Sequence, residues 1–236
     1  MNAGKHVYVE KPMGLTFTDC EEILQLADAK NLKLFVAHYR RGLPYFDKVK
    51  SLLPQIGKLL HFRMELFQAP KPEDSAEMLP WRLQAQQSGG GYFYDLAPHG
   101  LDIIQFLLDE SIDKANGFAS NRAGLYAVED TVVATFSTTS GISGTADWCF
   151  VTAKGSEKDR LTFVGTLGEV SCSVFKFSPI HFVYDGRIET YEVENPVHIQ
   201  EPFIQSVLNE LRGNGKALCT GVEALPTAWA MDKIIG

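Results

Sequence analysis

The stretch His6-Val-Tyr-Val-Glu-Lys-Pro12, with the segment that leads from it to Leu34-Phe-Val-Ala37, decides the fold class of this 236-residue chain. His6 to Val9 is a short apolar run of strand character. Thr18-Asp-Cys-Glu21 has the form of a capping box, in which hydroxyl and carboxylate each satisfy a free backbone N–H. Ile23, Leu24 and Ala27 then recur at helical spacing. Asn31 suits the left-handed residue that follows a helix end. Leu34 to Ala37 is a second apolar strand. Strand, helix and strand with short joins read as a βαβ unit, whose two strands lie parallel.

Downstream the pattern changes. Pro44 suits a first helical position. Leu59 to Phe67 reads as a strand, Ala69 to Gln87 as a polar loop with room for a helical turn, and the helix that follows ends near Leu108. After Gly117 strands dominate: Thr131–Phe136, Thr145–Val151, Leu161–Val164, Val170–Phe175, Phe182–Tyr184 and Ile188–Val193. Asp185-Gly186 is a strong hairpin signal, and the series reads as successive antiparallel hairpins. Two helices, about 202–211 and 221–235, close the chain. The fold class is therefore α+β: a parallel α/β unit over 1–41, then a domain over 42–236 with a mostly antiparallel sheet. Trp148, Phe150, Phe163 and Phe182 are more aromatic bulk than a few helices can cover. A homo-oligomer paired through the open sheet face is expected on that ground.

Composition narrows the function. Hydrophobic residues make up 45% of the chain, enough for a sizeable core. A net charge of −7 argues against a nucleic-acid partner. No apolar run approaches the ~20 residues of a membrane span, and Met1 to Glu10 carries no apolar run of signal-peptide length, so the cytoplasm is the expected location. Cys20, Cys149, Cys172 and Cys219 show no metal-binding spacing and read as reduced thiols.

Three segments carry side chains with chemistry. Glu10-Lys11-Pro12 follows a strand, and ligands bind at the C-terminal ends of strands in open α/β sheets. Lys11 can hold a hydroxyl or developing alkoxide, or be a solvated surface lysine. Trp81-Arg82 precedes Gly89-Gly-Gly91, where free N–H groups at a helix start attract polar ligands, or where the chain needs only a flexible join. Asp95, His99 and Asp102 fall at i, i+4 and i+7 on one helix face. His99 can act as a general base oriented by a carboxylate one turn away. Asp95 can equally be an N-cap, with Pro98 in the first helical turn.

Taken together these motifs resemble the glucose-fructose oxidoreductase, inositol dehydrogenase and MocA family. The resemblance rests on Ala3-Gly-Lys-His-Val7 through Glu10-Lys-Pro12, Arg41-Gly-Leu-Pro44, Ile56-Gly-Lys58, Trp81 through Asp102, and Gly165 to Glu169. It departs at Ala97, where the family has glycine. It implies a Rossmann-type remnant over 1–41 and a substrate-binding and dimerisation domain over 42–236, whose sheet is open-faced with helices on one side. It implies hydride transfer between NAD or NADP and a carbinol of a sugar, polyol or cyclic alcohol. Lys11 would contact the substrate hydroxyl near the nicotinamide, His99 would be the general base, and Asp95 would orient His99 or bind substrate. Glu10 and Pro12 would shape the nicotinamide pocket. Arg41, Trp81 and Arg82 would line the substrate cleft. The family's glycine-rich fingerprint and ribose-binding carboxylate are not in these 236 residues, so the expectation is an N-terminally truncated chain that binds the dinucleotide weakly. A non-catalytic sugar-binding or dimerisation module is the alternative. A zinc hydrolase built on His99, Asp95 and Asp102 is a distant third, and no metal is expected.

Overall fold

The computed structural model describes residues 1–75 and 79–236. The first unit is the βαβ motif: β1 (Val7–Val9), α1 (Phe17–Ala29) and β2 (Leu34–Val36), with β1 and β2 parallel. Asn31 takes the left-handed conformation that ends α1. The helix starts two residues before its expected cap. Thr16 is the N-cap, its hydroxyl accepting from the Asp19 backbone N–H at 3.1 Å while the Asp19 carboxylate accepts from the Thr16 N–H at 2.9 Å. Thr18 and Glu21 fall inside the helix. Aspartate reaches back as well as glutamate does, and the frame shifts accordingly.

Next, α2 (Pro44–Leu52) opens on its proline, and β3 (Leu59–Phe67) follows. The 69–87 segment, expected as loop, lies partly outside the described residues. Its described parts contain single-turn helices at Pro72–Ser75 and Trp81–Leu83, and the short α3 (Ala85–Ser88). The long α4 (Tyr92–Leu108) ends on Asp109 in the left-handed conformation. The strands are β4 (Ile112–Ser120), β5 (Thr131–Thr138), β6 (Ser143–Cys149), β7 (Lys158–Gly165), β8 (Gly168–Cys172), β9 (Ile180–Tyr184) and β10 (Arg187–Tyr191). Helices α5 (Glu201–Leu211) and α6 (Gly221–Ile235) end the chain.

The large sheet has eight strands in the order β10-β9-β8-β7-β3-β6-β5-β4. It is mixed, and this corrects the reading of uninterrupted hairpins. β3 is inserted between β6 and β7, parallel to the first and antiparallel to the second. Because β3 pairs on both sides, β6 and β7 are neighbours in sequence and not in the sheet. Local hairpin signals cannot report a strand that arrives from 80 residues upstream.

One face of this sheet packs on the helices. Alternation along β5, with Val132, Ala134 and Phe136 buried between more exposed neighbours, marks the covered side. Trp148, Phe150, Phe163 and Phe182 all lie in this core and are at most 5% exposed. The expectation that they overload the helical cover is therefore wrong. Helices α2, α4 and α6 together with the loop aromatics suffice. A second, smaller core joins Cys20, Ala27 and Phe35 of the βαβ unit to Phe203, Val207 and Cys219 near the C-terminus. The chain thus returns to cover β2. No helix among the described residues is long and apolar enough to cross a membrane.

Candidate active site

The site forms where the loop after β1, the turn after β2 and the first half of α4 meet. α4 can start only because Gly91 has no side chain. A Cβ there would stand 2.6 Å from the Glu129 carbonyl oxygen. The Gly91 N–H itself donates to the Glu129 carboxylate at 2.7 Å. The glycine run thus serves close packing, and its helix-start N–H is satisfied within the chain. Asp95 is not the N-cap, since α4 begins at Tyr92. Pro98 lies in the helix interior rather than in the first turn.

Lys11 reaches α4 and donates to Asp95 twice, to Oδ1 at 2.9 Å and to the backbone carbonyl at 2.5 Å. Arg82 donates to the other carboxylate oxygen, Oδ2, at 2.7 Å. Burial pushes the Asp95 carboxyl up, but the two cations outweigh it and hold it below its usual value. Asp95 therefore grips Lys11 and Arg82, and no hydrogen bond links it to His99 among the described residues. The i, i+4 spacing places them on one face without bringing them into contact. Trp81 is half exposed, with the Arg82 guanidinium 4.7 Å from its ring.

The partner of His99 is Arg40, which the sequence reading passed over in favour of its neighbour. Arg40 Nη1 is 2.6 Å from His99 Nδ1. Its Nε donates to the Val174 carbonyl at 2.9 Å, and its guanidinium lies 4.9 Å from the Tyr39 ring and 4.7 Å from the Phe175 ring. The same two rings meet the imidazole edge-on. His99 is held well below its ordinary value, by burial first and then by the charges of Arg40, Lys11 and His38. It is a neutral ring at working pH. His38, buried after β2, is pushed down to about 4 by burial, against the pull of Asp102.

Arg41, expected close to the substrate cleft, has its guanidinium committed within the chain. Its guanidinium is paired with buried Asp102 at 2.7 Å and also donates to the carbonyls of Leu218 and Glu223. It ties the turn after β2 to α4 and to the start of α6. Asp95, His99 and Asp102 are each claimed by a different cation and do not converge as metal ligands would. Glu10 is exposed and Pro12 partly buried beside Lys11. A surface groove lined by Arg41, Phe106, Asp109 and Lys216 among others contains none of Lys11, Asp95 or His99. The site is read instead from where buried charge converges. A doublet of arginines after a strand end was the available signal for Arg40. Only the fold shows which of the two faces the imidazole.

Comparison with known proteins shows which family and fold the chain shares. Residues 46–171 match the GFO/IDH/MocA C-terminal domain, and residues 1–38 match the oxidoreductase family, NAD-binding Rossmann fold. Oxidoreductase P35 of Formosa agariphila is 33% identical over 240 residues, spanning 100% of this chain and 73% of that protein. The 1,5-anhydro-D-fructose reductase of Ensifer adhaerens is 25% identical over 99% of this chain and 71% of its own length. Two solved structures share the fold. Aldose-aldose oxidoreductase from Caulobacter crescentus, complexed with glycerol, superposes with a TM-score of 0.83 at 19% identity over 98% of this chain and 69% of its own. Levoglucosan dehydrogenase, complexed with NADH and levoglucosan, superposes with a TM-score of 0.83 at 21% identity over 99% of this chain and 71% of its own.

Proposed function

Because this chain belongs to the GFO/IDH/MocA oxidoreductase family, we propose that it carries the reacting end of an NAD(P)-dependent dehydrogenase acting on a carbinol of a sugar, polyol or related cyclic alcohol. The observation that carries the reading is the placing of Lys11. Its ammonium comes from the loop after β1 and is gripped by Asp95, and its charge helps to keep His99 neutral. An alcohol oxygen needs such a pair, one group to exchange its proton and one to steady its charge.

The donor set suits a nicotinamide ring. Both carboxylate oxygens of Asp95 are occupied, one by Lys11 and the other by Arg82. Glu10, Lys11 and Pro12 would border the ring. The dinucleotide, when bound, supplies the hydride acceptor or donor. The side chains of this chain orient the carbinol and handle its proton. Arg82, held by Asp95, and Trp81, whose ring meets the Arg82 guanidinium, would line the substrate side. Residues 1–41 would belong to the dinucleotide-binding domain and 42–236 to the substrate domain. The sugar-acting relatives support the substrate class. Four free thiols support a reducing, cytoplasmic setting.

The test is a panel of aldoses, anhydrosugars and inositols offered to the complete protein with NAD and then NADP. Absorbance of the reduced nicotinamide is followed. Turnover of at least one ring polyol or sugar is expected. Failure of every member with both cofactors, in protein shown to be folded, contradicts the proposal.

A further inference from the structure

We propose that Arg40 is a positioning residue that locks His99 as the Nε2–H tautomer, so that His99 offers the substrate oxygen a hydrogen-bond donor and Lys11 is the group that exchanges the proton. This rests on the functional reading above and deepens it.

Guanidinium groups only donate hydrogen bonds. The contact of Arg40 Nη1 with His99 Nδ1 at 2.6 Å therefore places the lone pair on Nδ1. In a neutral imidazole the single proton is then on Nε2. The guanidinium cannot swing away cheaply. It is bound at Nε by the Val174 carbonyl, lies between the Tyr39 and Phe175 rings, and is only 5% exposed. It also has no carboxylate within ion-pair distance among the described residues; Asp159 and Asp102 act on it only from farther away, and its positive charge bears on the imidazole. A second proton on His99 would have to be placed against that charge.

The groups facing His99 act in the same sense or are committed elsewhere. Arg40 and Tyr39 come from the turn after β2, Lys11 from the loop after β1, and His38 from the end of β2. On α4 itself, Asp95 is taken by Lys11 and Arg82, and Asp102 by Arg41. A ring whose free nitrogen already carries hydrogen cannot accept the carbinol proton there. It can polarise the oxygen as a neutral donor.

Lys11 has the complementary capacity. Two of its three N–H groups go to Asp95, and the third is left for a ligand. In the reducing direction a hydride from the reduced nicotinamide adds to the carbonyl carbon. The C=O π pair moves to oxygen, and oxygen takes one proton from the Lys11 ammonium, leaving an amine. The His99 Nε2–H supports the oxygen throughout and keeps its proton. Oxidation runs the same steps in reverse, with the Lys11 amine accepting the proton.

The experiment is ¹⁵N NMR of the chain with selectively ¹⁵N-labelled histidine, His99 being assigned by its loss in His99→Gln. Nitrogen shifts distinguish protonated from bare ring nitrogens without any turnover. The expected result at neutral pH is a bare Nδ1 and a protonated Nε2, unchanged down to pH 5. Arg40→Met should release the ring into a tautomer mixture whose titration moves up from that of the wild type, while burial still holds it below the ordinary histidine range. Arg40→Lys, which keeps the charge without the reach, should restore little. A wild-type His99 protonated on Nδ1, or doubly protonated at neutral pH, overturns the proposal whether or not Arg40→Met folds. Absence of dehydrogenase activity would remove the functional reading while leaving the tautomer result standing.

Discussion

His38 is shut away from water in the fields of Lys11, Arg40, Arg41 and Asp102, and it stays neutral down to about 4. In the unfolded chain it would take a proton near 6.5. Stability is therefore full above the unfolded value and is lost as pH falls towards the folded one, because the unfolded state binds more protons in between. At 1.36 kcal/mol per unit, the loss from His38 alone reaches roughly 3 kcal/mol by pH 4. His99 adds to it with the same sign. Asp95 does not contribute in that window, since its carboxyl stays ionised below the ordinary range. Urea unfolding of the wild type at pH 7.5 and pH 5 should show a clear drop, and His38→Gln a flatter dependence. Equal pH slopes for the two proteins would show that His38 is not the group responsible. At this scale the sequence showed Lys11, Asp95 and His99 as candidates, because residue type and spacing suffice to name them. It could not show that Asp95 turns to Lys11 and Arg82, or that Arg40 rather than Arg41 meets the imidazole. Those choices depend on how a turn after β2 is rolled against α4, which follows from packing and not from spacing.

Element boundaries were legible wherever backbone chemistry is local. β3 and α6 match their expected limits, and Pro44 and Asn31 sit where proline and left-handed geometry require. The start of α1 was misplaced by two residues because two overlapping stretches both satisfy the capping pattern. Thr16-x-x-Asp19 wins, with both reciprocal hydrogen bonds formed. Thr16→Ala should accordingly cost about 1 kcal/mol of stability, whereas Thr18→Ala should change little. Thermal unfolding of the two variants decides between the frames. A larger loss at Thr18 would restore the discarded one. The strand β3 marks the limit of local reading. Its own limits were evident, yet its insertion between β6 and β7 was not, since nothing in hairpin signals records a partner far away in the chain.

For the whole molecule, the four aromatics taken as surplus are buried under the helices, so pairing through the open sheet face now rests on other residues. Phe118 is 81% exposed on β4 and lies directly opposite Val133 on β5. Ile188 is 72% exposed towards the other edge. Between them Arg63, Glu65, Asp147 and Lys158 form a charged network across β3, β6 and β7. We propose that this face pairs with a second copy, its apolar flanks buried and its charges matched. Light scattering at micromolar concentration should report a dimer, and Phe118→Asp should shift it towards monomer. A wild-type monomer throughout that range would contradict the pairing.

The central claim is that Lys11 and His99 together serve a nicotinamide-dependent oxidation of a sugar-like carbinol. Its most direct test compares kcat for the wild type, Lys11→Met and His99→Ala of the complete protein on whichever ring polyol or sugar proves active. Circular dichroism would check that each variant is folded. The account predicts losses on the order of 10²-fold or more in both variants, with a smaller change in KM. Either variant turning over within about twofold of the wild type would contradict it.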